Sequence, residues 1–250
     1  MNMVLRVLTL NLWGDNPPLE ERMTGLAAYL EAERPHVVAL QEVADLEDGT
    51  QADSLAEAAG YPIVHHVDTG RLLWPGEGLA ILSRLDAEAA NTVALPHGPE
   101  DSHPRALQQL DVMTSGGTVI RVGNTHLAFR LDSTRLRRQQ TERIREELEG
   151  LSGPVVLMGD LNDVTGSEPL RVLTDAGLVD CYAAVHEHEC WTFHPANPFA
   201  EQQDLLERRV DHVLARGFEV SDAAVVLTGE DAPVVSDHFG LRATLRLATG

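Results

Sequence analysis

The chain has 250 residues, 43% of them hydrophobic, and its 39 acidic and 19 basic side chains give a formal net charge of −20. This length suits one large α/β domain or two small ones, and no apolar stretch approaches the ~18 residues that a membrane span needs. Because duplex DNA is bound chiefly by basic residues that neutralise its phosphates, the acidic balance argues against stable binding of duplex DNA.

The cysteines and the N-terminal segment bear on the compartment. Cys181 and Cys190 are the two cysteines of the chain, which is too few for a disulfide scaffold, and their spacing is not that of a CxxC metal or redox motif. Arg6 interrupts the first apolar run and no small-residue cleavage site follows it, unlike in a secretory signal peptide. We therefore expect a cytoplasmic protein, and secretion stays open if a leader has been removed.

Strands and helices alternate in the first part of the chain. Runs of Val, Leu and Ile predict strands at 4–13, 36–43, 61–67 and 77–84. Two other segments predict helices, the first opened and closed by prolines and the second ended by a glycine, at 17–35 and 52–60.

The second part of the chain combines hairpins with helices. Residues 105–127 predict two strands about a Gly-Gly turn. The longest helix is expected at 131–151, with Ser133 or Thr134 as its cap. The remaining elements are a strand in 154–163, a short helix near 168–175, a loop-rich stretch to about 207, and strands at 208–216, 218–227 and 240–248.

Helices that alternate with strands, together with tight hairpins, indicate mixed sheets. We expect a two-layered β core with helices outside it, and a single domain over residues 1–250. No repeat, low-complexity tract or long linker interrupts the chain.

Polar residues end most of the predicted strands. Apolar sequence leads to Asn11, Gln41-Glu42, Thr125-His126, Asp160-Leu161-Asn162, Asp211 and Ser236-Asp237-His238. If these ends converge on one rim, they form an acidic pocket beneath two histidines, with the members Glu42, Asp160, Asp237, Asn11, Asn162, His126 and His238. Clustered carboxylates are tolerable beside a hard cation, and all-oxygen ligation suits Mg²⁺ or Mn²⁺. That combination favours phosphoester hydrolysis. By itself, GDLND at 159–163 is equally compatible with an Asx turn.

At these residues the chain resembles the endonuclease/exonuclease/phosphatase superfamily. Seven pieces match in the family's order from Asn11 to His238: TLNLWG, LQEV, EGLAILSR, NTHL, GDLND, RRVDHVL and SDHFG. The resemblance implies a four-layered α/β sandwich with two packed mixed sheets and the site at one end. The sequence differs from some family members at position 13, where they carry an acidic residue and this chain has Trp13.

The resemblance also implies roles around the metal. Glu42 is similar to the principal metal carboxylate, Asp237 to a second one, and Asn11 to a metal-side amide that acts through water. Asp160 resembles the residue that positions or deprotonates the attacking water. Asn162 is expected to orient the phosphate or the water.

The implied phosphate contacts are histidines. His238 would contact the scissile phosphate. Asp211 would orient the His238 ring and raise the pKa of His238. His126 would be a second phosphate contact steadied by Glu77, so both histidines are expected to be cations. Arg105 falls where some members have an arginine that faces the phosphate.

Three other segments suggest sites, but each has a simpler interpretation. HEHEC at 186–190 favours a charged loop over a structural zinc site, because a fourth ligand is not evident. The arginines of 131–150 favour a salt-bridged solvent face over a phosphate-binding strip. The apolar residues 72–74 favour a tucked-in loop over a lipid-binding tip.

Together these features predict a phosphodiesterase that uses Mg²⁺ or Mn²⁺ and water on a small or lipid-derived substrate. The lipid option comes from NLWG at 11–14, which resembles the sphingomyelinase-like branch. One alternative is a nuclease for single strands or nicked ends, and another is a non-catalytic scaffold of the same fold. We expect a monomer.

Overall fold

A computed structural model describes residues 3–69, 78–98, 101, 103–200 and 207–248. Within these residues lie four helices: α1 Leu19–Glu33, α2 Gln51–Ala59, α3 Thr134–Leu148 and α4 Glu168–Asp175. The same residues form fourteen strands: β1 Val4–Asn11, β2 Val37–Val43, β3 Asp45–Leu46, β4 Gly49–Thr50, β5 Ile63–Asp68, β6 Gly78–Ser83, β7 Asp86–Ala94, β8 Ala106–Met113, β9 Val119–His126, β10 Val155–Asp160, β11 Val179–Asp180, β12 Asp211–Arg216, β13 Phe218–Val226 and β14 Gly240–Leu247.

Twelve of these strands form two six-stranded sheets. The first sheet has the order β13-β14-β1-β2-β6-β5 and the second has the order β11-β12-β10-β9-β8-β7. Each sheet contains a parallel pair at its centre, β1 with β2 and β9 with β10, and its other pairs are antiparallel. The expected mixed sheets are therefore confirmed.

Three apolar clusters separate four layers. The cluster between the sheets includes Leu5, Val7, Val156 and Met158. A second cluster joins the outer face of the first sheet to α1 and α2, and a third joins the outer face of the second sheet to α3 and α4. The fold is thus the predicted four-layered α/β sandwich.

Side-chain alternation along the strands determines which polar residues reach the site. Because successive side chains point to opposite faces, residues 5, 7, 9 and 11 of β1 share the inter-sheet face. Residues 156, 158 and 160 of β10 share it in the same way, since Val156 and Met158 belong to the inter-sheet cluster. Asn11 and Asp160 therefore enter the space between the sheets where the apolar core ends.

A buried polar row lies beneath the rim and links the two sheets. The Gln41 side chain donates to Oδ1 of Asn124 at 2.8 Å. Asn124 in turn donates to Oε1 of Gln108 at 3.0 Å and to the carbonyl of Leu40 at 2.9 Å. A buried amide is tolerable only when its hydrogen bonds are made, so this row favours one relative placement of the sheets.

Two local features differ from the sequence-based expectations. The pattern of residues 86–94 does not indicate a strand, yet β7 forms there as an exposed edge strand paired only with β8. Ser133 occupies the N-cap position of α3, but its side chain makes no capping hydrogen bond. Helix α1 begins just after Pro18 and ends before Pro35, as the prolines predict. Among the described helices, none is long and apolar enough to span a membrane.

Candidate active site

The polar strand ends line one open cavity of about 750 Å³. Its lining includes most of the residues proposed from the sequence: Glu42, Arg105, His126, Asp160, Asn162, Asp237 and His238. Asn11 and Asp211 lie behind this surface, where they hydrogen bond to Asp160 and His238 respectively. Glu77 lies outside the described residues.

Strand register brings the central three residues together. Asp160 pairs with His126 of β9 on one side and with Asp211 of β12 on the other. Directly opposed residues on neighbouring strands share a face and lie within contact distance. The three side chains are therefore neighbours because of the order of the second sheet, and no loop has to bring them together.

Gly159 permits this arrangement. Its backbone has φ of +144°, and a Cβ at this position would lie 1.9 Å from the carbonyl oxygen of Thr125. Only glycine can occupy such a place without moving β9 or β10. The glycine of GDLND thus allows the strand to approach its neighbour and deliver Asp160 at the rim.

The chain turns immediately after Asp160. The backbone N–H of Asn162 donates to Oδ1 of Asp160 at 2.9 Å, which is an Asx turn. Asn162 has φ of +52°, and its side chain donates to the carbonyl of Leu127 at 3.0 Å. The turn interpretation of GDLND is therefore confirmed, and this turn places Asp160 and Asn162 in the cavity lining, as the site interpretation requires.

Glu42 reaches the cavity from the first sheet. The pairing of β2 with β6 is irregular between Leu40 and Val43, and Glu42 has φ of +50° within this irregularity. A left-handed backbone is uncommon for glutamate and marks a strained position, as is frequent at functional sites. The irregularity turns the half-buried Glu42 carboxylate toward the rim.

Asn11 joins the two acids. Its Nδ2 donates to Oε1 of Glu42 at 2.9 Å and to Oδ2 of Asp160 at 3.2 Å. Its Oδ1 accepts the backbone N–H of Trp13 at 2.9 Å. Asn11 therefore acts as a donor that orients both carboxylates, while its oxygen is engaged by the backbone of Trp13.

His238 is held as a cation by the acids around it. Its Nδ1 lies 2.9 Å from Oδ2 of the fully buried Asp211, and its Nε2 lies 3.9 Å from Oδ2 of Asp160. Burial alone would lower the pKa of His238, but Asp211, Asp160 and Asp237 outweigh burial, and the pKa lies well above its usual value. The geometry matches the expected orientation of His238 by Asp211.

His126 differs from the expectation of a second cation. Its Nε2 lies 3.5 Å from Oδ2 of Asp160, and its Nδ1 lies 4.0 Å from Oε1 of Glu42. Burial, followed by the positive charges of Arg105, His238 and His103, lowers the pKa of His126 well below its usual value. Burial, together with these cations, therefore favours a neutral His126 in the described surroundings.

The buried carboxyls have the electrostatic properties of a site for a cation. Burial raises the pKa of Asp160, and the charge of Asp211 adds to this effect. Burial likewise raises the pKa of Asp237. A divalent cation would hold such groups ionised, since its charge favours the carboxylate form. The carboxylates of Glu42, Asp160 and Asp237 line the cavity, and oxygen ligands of this kind suit a hard ion.

One group of described residues meets the geometry for shared ligation of an ion. Ligand atoms of Asp160, Asp211 and His238 all lie within 4.8 Å of one another. Asp211 already contacts Nδ1 of His238. Asp211 and His238 therefore form a hydrogen-bonded pair next to the Asp160 carboxylate. The same three residues are also a possible set of metal ligands.

Arg105 lies in the cavity wall with its charge already paired. Its Nε donates to Oδ2 of Asp101 at 2.9 Å, and both side chains are buried. Its guanidinium also lies 6.0 Å from the ring of Phe129 at the cavity edge. Arg105 faces the cavity as expected, although much of its hydrogen-bonding capacity is directed to Asp101.

Arg22 is a site-supporting residue that the sequence reasoning missed. It is buried in α1 and donates to the carbonyls of Leu12 at 2.6 Å, Gly14 at 2.9 Å and Val235 at 3.0 Å. These bonds join the turn after β1 to the segment before Asp237. A buried arginine near a helix start could have been suspected from its place on the apolar face of α1.

One of the simpler interpretations, the salt-bridged face of α3, is confirmed. Three of its arginines pair with glutamates one turn along the helix, in the pairs Arg138–Glu142, Arg143–Glu147 and Arg145–Glu149. The segment 186–190 lies outside the helices and strands, and a charged loop without zinc stays a prediction there. Residues 72–74 lie outside the described residues.

The fold and the site together define a class of protein. The sequence profile of the Endonuclease/Exonuclease/phosphatase family matches residues 8–238. The chain therefore belongs to this family, and it is an enzyme that hydrolyses phosphoric ester bonds with the help of a divalent metal. The alternative of a non-catalytic scaffold is not supported.

Solved structures agree with this assignment. A family member from Beutenbergia cavernae is 26% identical with a TM-score of 0.80, covering 98% of this chain and 72% of that one. D. rerio TDP2, solved with a single-strand DNA product, is 19% identical with a TM-score of 0.78, and the match covers 98% and 99% of the two chains. A mannosyl-6-phosphatase from Bacteroides thetaiotaomicron is 20% identical with a TM-score of 0.74, covering 96% and 99%. No curated protein sequence matches significantly.

Proposed function

We propose that the protein is a Mg²⁺- or Mn²⁺-dependent phosphodiesterase that hydrolyses a small or lipid-derived phosphodiester by in-line attack of water. The observation that carries the proposal is the position of the Asp160 carboxylate. Its Oδ2 lies 3.2 Å from the Asn11 amide that also holds Glu42, 3.5 Å from His126 and 3.9 Å from His238. Asp160 thus lies between the acidic side of the cavity and its histidines.

Glu42 and Asp237 are the residues that we assign to the metal. Both line the cavity, and the Glu42 carboxylate accepts from the same Asn11 amide that donates to Asp160. Mg²⁺ is typically held by one or two carboxylates, water and phosphate oxygens, which fits this pair. When bound, the metal would polarise the phosphoryl oxygen and neutralise charge that develops there.

His238 is assigned to the phosphoryl oxygens. As a cation oriented by Asp211, it offers Nε2–H to the negative charge that grows in the transition state. Phe193 also supports the orientation of the His238 ring, since the two ring centroids lie 4.9 Å apart. His126 is assigned to the substrate as a neutral donor or acceptor.

Asp160 is assigned to the attacking water. A carboxylate with a raised pKa is a better proton acceptor than an ordinary aspartate, and a general base must lie within hydrogen-bond reach of the proton it takes. Asn162 lines the same cavity with its backbone fixed by the turn at Asp160. It would orient the water or a phosphoryl oxygen.

A small substrate is supported by the cavity and by the charge. A volume of about 750 Å³ lies within the range of small-molecule sites. Phe129 and Phe193 provide apolar wall next to the polar centre. The net charge of −20 and the paired arginines of α3 leave little basic surface for duplex DNA.

A substrate panel with Mg²⁺ or Mn²⁺ tests the proposal. We expect turnover of bis-p-nitrophenyl phosphate and of glycerophosphodiesters, slower turnover of p-nitrophenyl phosphate, and loss of activity in EDTA. Salt should change kcat/KM little for a small diester, whereas a nuclease should weaken steeply as salt rises. Faster cleavage of a single-stranded oligonucleotide with a steep salt dependence would favour the nuclease alternative.

The remaining expectations belong to the same proposal. The cluster between the sheets involves strands from both ends of the chain, which supports a single domain over residues 1–250. A monomer in the cytoplasm, without stable duplex DNA binding, stays a prediction that gel filtration, cell fractionation and a gel-shift assay can test.

A further inference from the structure

Arg208 differs from the other arginines near the cavity in the use of its charge. Among the described residues, the buried arginines 22, 105, 137 and 209 all donate to backbone carbonyls or carboxylates. Arg208 is half-buried in the cavity lining, and its Nε is buried without a hydrogen-bond partner in the described part of the chain. A buried donor without a partner is costly, and a ligand is one way to satisfy it.

The backbone of Arg208 is rigidly placed next to the catalytic histidine. Arg208 forms an isolated antiparallel bridge with Phe193, with N–H···O distances of 2.9 and 3.0 Å in the two directions. Opposed residues of such a bridge direct their side chains to the same side. The ring of Phe193 packs on His238. The Arg208 side chain therefore lines the same wall of the cavity, next to Phe193.

The charges around Arg208 do not neutralise it. Burial lowers its pKa, while Asp160 and Asp163 raise it and Arg137 lowers it. Asp163 is already bound to Nε of Arg137 at 2.8 Å, and Asp160 is bound to Asn11 and Asn162. The carboxylates that act on Arg208 are thus engaged elsewhere, so its guanidinium fork is available to a substrate.

We propose that Arg208 binds a second anionic group of the substrate, a phosphate or carboxylate next to the phosphodiester under attack. The structure thereby assigns to this site a preference for diesters with an additional negative charge. The inference rests on the proposed phosphodiesterase activity. A planar guanidinium matches phosphate and carboxylate in a bidentate manner.

Two substrate pairs that differ by one phosphate group test this preference. The first pair is glycerophosphoinositol and its 4-phosphate, and the second is the dinucleotide TpT and its 5′-phosphorylated form. We expect the wild-type kcat/KM to be higher for the more charged member of at least one pair. In R208Q the ratio of charged to less charged member should fall about ten- to hundredfold, the usual range for loss of a charged hydrogen bond.

The variants and a binding measurement separate this role from a structural one. R208K keeps the charge without the fork and should recover part of the ratio. R130Q is the matched control, because Arg130 is an exposed arginine paired with Asp132, and it should leave both kcat/KM values unchanged. Without turnover, in EDTA, R208Q should also weaken the Kd of glycerophosphoinositol 4-phosphate relative to glycerophosphoinositol.

The outcomes distinguish this inference from the proposed function. The wild-type preference for the more charged substrate, and its loss in R208Q, could be confined to the dinucleotide pair. That result would support the inference and would identify the second anion as a flanking nucleic-acid phosphate. Equal loss on both members in R208Q, or no wild-type preference in either pair, would overturn it while hydrolysis of bis-p-nitrophenyl phosphate still supported the phosphodiesterase. If wild type hydrolysed no phosphodiester, the function and this inference would both fail.

Discussion

At the scale of single residues, the site depends on a backbone conformation that only glycine adopts without strain. Gly159 has φ of +144° and lies against the carbonyl of Thr125, and the next residue is Asp160. The same strand therefore provides the close approach between β9 and β10 and the Asp160 carboxylate, which we propose as the general base. Substitution here should affect stability and activity together.

We predict that Gly159→Ala destabilises the protein by about 3 kcal/mol or more, because the added Cβ meets Thr125 in addition to backbone strain. Chemical unfolding and kcat/KM measure the two effects. Gly150→Ala is the matched control, since Gly150 has φ of +81° with open space around its Cβ position. It should cost about 1 kcal/mol and leave activity intact. Equal losses of stability in the two variants would contradict a destabilising contact between the added Cβ and Thr125.

The pH dependence of His238 gives a second prediction. Its pKa is raised, so the cation persists below the folded pKa and is lost as pH rises through that value. Asp211→Asn removes the principal acid that raises this pKa. The basic limb of the kcat/KM profile should therefore move to lower pH, with a loss of about 10–100-fold in activity.

A pH–rate profile of wild type and Asp211→Asn measures this shift. An unchanged basic limb with reduced activity would mean that Asp211 only supports the fold. A limb that moved to higher pH would contradict the assignment of His238 as the cation.

Residue patterns predict which side chains meet but not how each one is held. Asn11, Asp160 and His238 could be proposed from the sequence because polar residues end buried strands and the fold brings those ends together. The left-handed conformation of Glu42 depends on a strand irregularity that no residue pattern specifies, whereas GDLND already indicates the turn that holds Asn162. The lowered pKa of His126 depends on its burial and then on nearby cations from other segments, such as Arg105.

At the scale of elements, a buried ion network fixes β11 and the segment after β10 to β12. Asp180 accepts from both terminal nitrogens of Arg209, at 3.0 and 2.9 Å, and its Oδ2 accepts from Thr165 at 3.0 Å. His212 contacts Arg209 at 3.0 Å and the carbonyl of Asp163 at 2.9 Å. This network lies directly behind the GDLND turn, so it supports the turn that presents Asn162.

We predict that Asp180→Asn lowers the free energy of unfolding by about 3 kcal/mol at neutral pH, because Arg209 is left buried with a weaker partner. Burial would raise the pKa of Asp180, but His212 and Arg209 outweigh burial and the pKa is lowered. The carboxylate thus stabilises the fold above its unfolded pKa of ~4, and this stability is lost as pH falls toward the lowered value.

Urea unfolding at neutral and at acidic pH checks this dependence. The difference between wild type and Asp180→Asn should shrink below pH ~4, as the linkage of a depressed carboxyl pKa requires. Asp222→Asn breaks an exposed pair with Arg242 and should cost at most about 1 kcal/mol at either pH. A pH-independent difference for Asp180→Asn would contradict the role of its charge.

Elements are predictable from the sequence where periodicity and burial agree. Strands β1, β2 and β10 are apolar on both faces and were expected. Strand β7 was not, because it is an exposed edge strand of alanine and polar residues whose only partner is β8. The polar row through Asn124 was also missed, since residues in the middle of a strand give no sign that they pair across the two sheets.

At the scale of the whole molecule, the overall charge and the charges within the cavity affect different kinds of ligand. The acidic residues exceed the basic ones by twenty, and three arginines of α3 are paired with glutamates. The cavity holds positive charge at His238, which is paired with Asp211, and at Arg208, whose Nε has no hydrogen-bond partner among the described residues. An anionic small molecule is therefore attracted to the site, while a long polyanion meets a repulsive surface.

The class of enzyme was predictable at this scale because seven separated segments carry the site in one order. The substrate was not, because we propose that its recognition depends on cavity walls such as Phe193 and Arg208. In the described residues near them, 190–200 and 207–208, an isolated bridge is the only regular element, and the sequence has no periodic signal. Their positions follow from a single bridge that only the folded chain reveals.

The central claim is that distant segments unite at one cavity to hydrolyse a phosphodiester with a divalent metal. Its most direct test is kcat/KM for bis-p-nitrophenyl phosphate, measured during Mg²⁺ titration of wild type, Asp160→Asn and His238→Ala, with unfolding curves for all three. We predict metal-dependent turnover by wild type and losses of about 10²-fold or more in each variant, with the fold intact. Activity that persists in both folded variants, or a wild type without metal-dependent turnover, would contradict the claim.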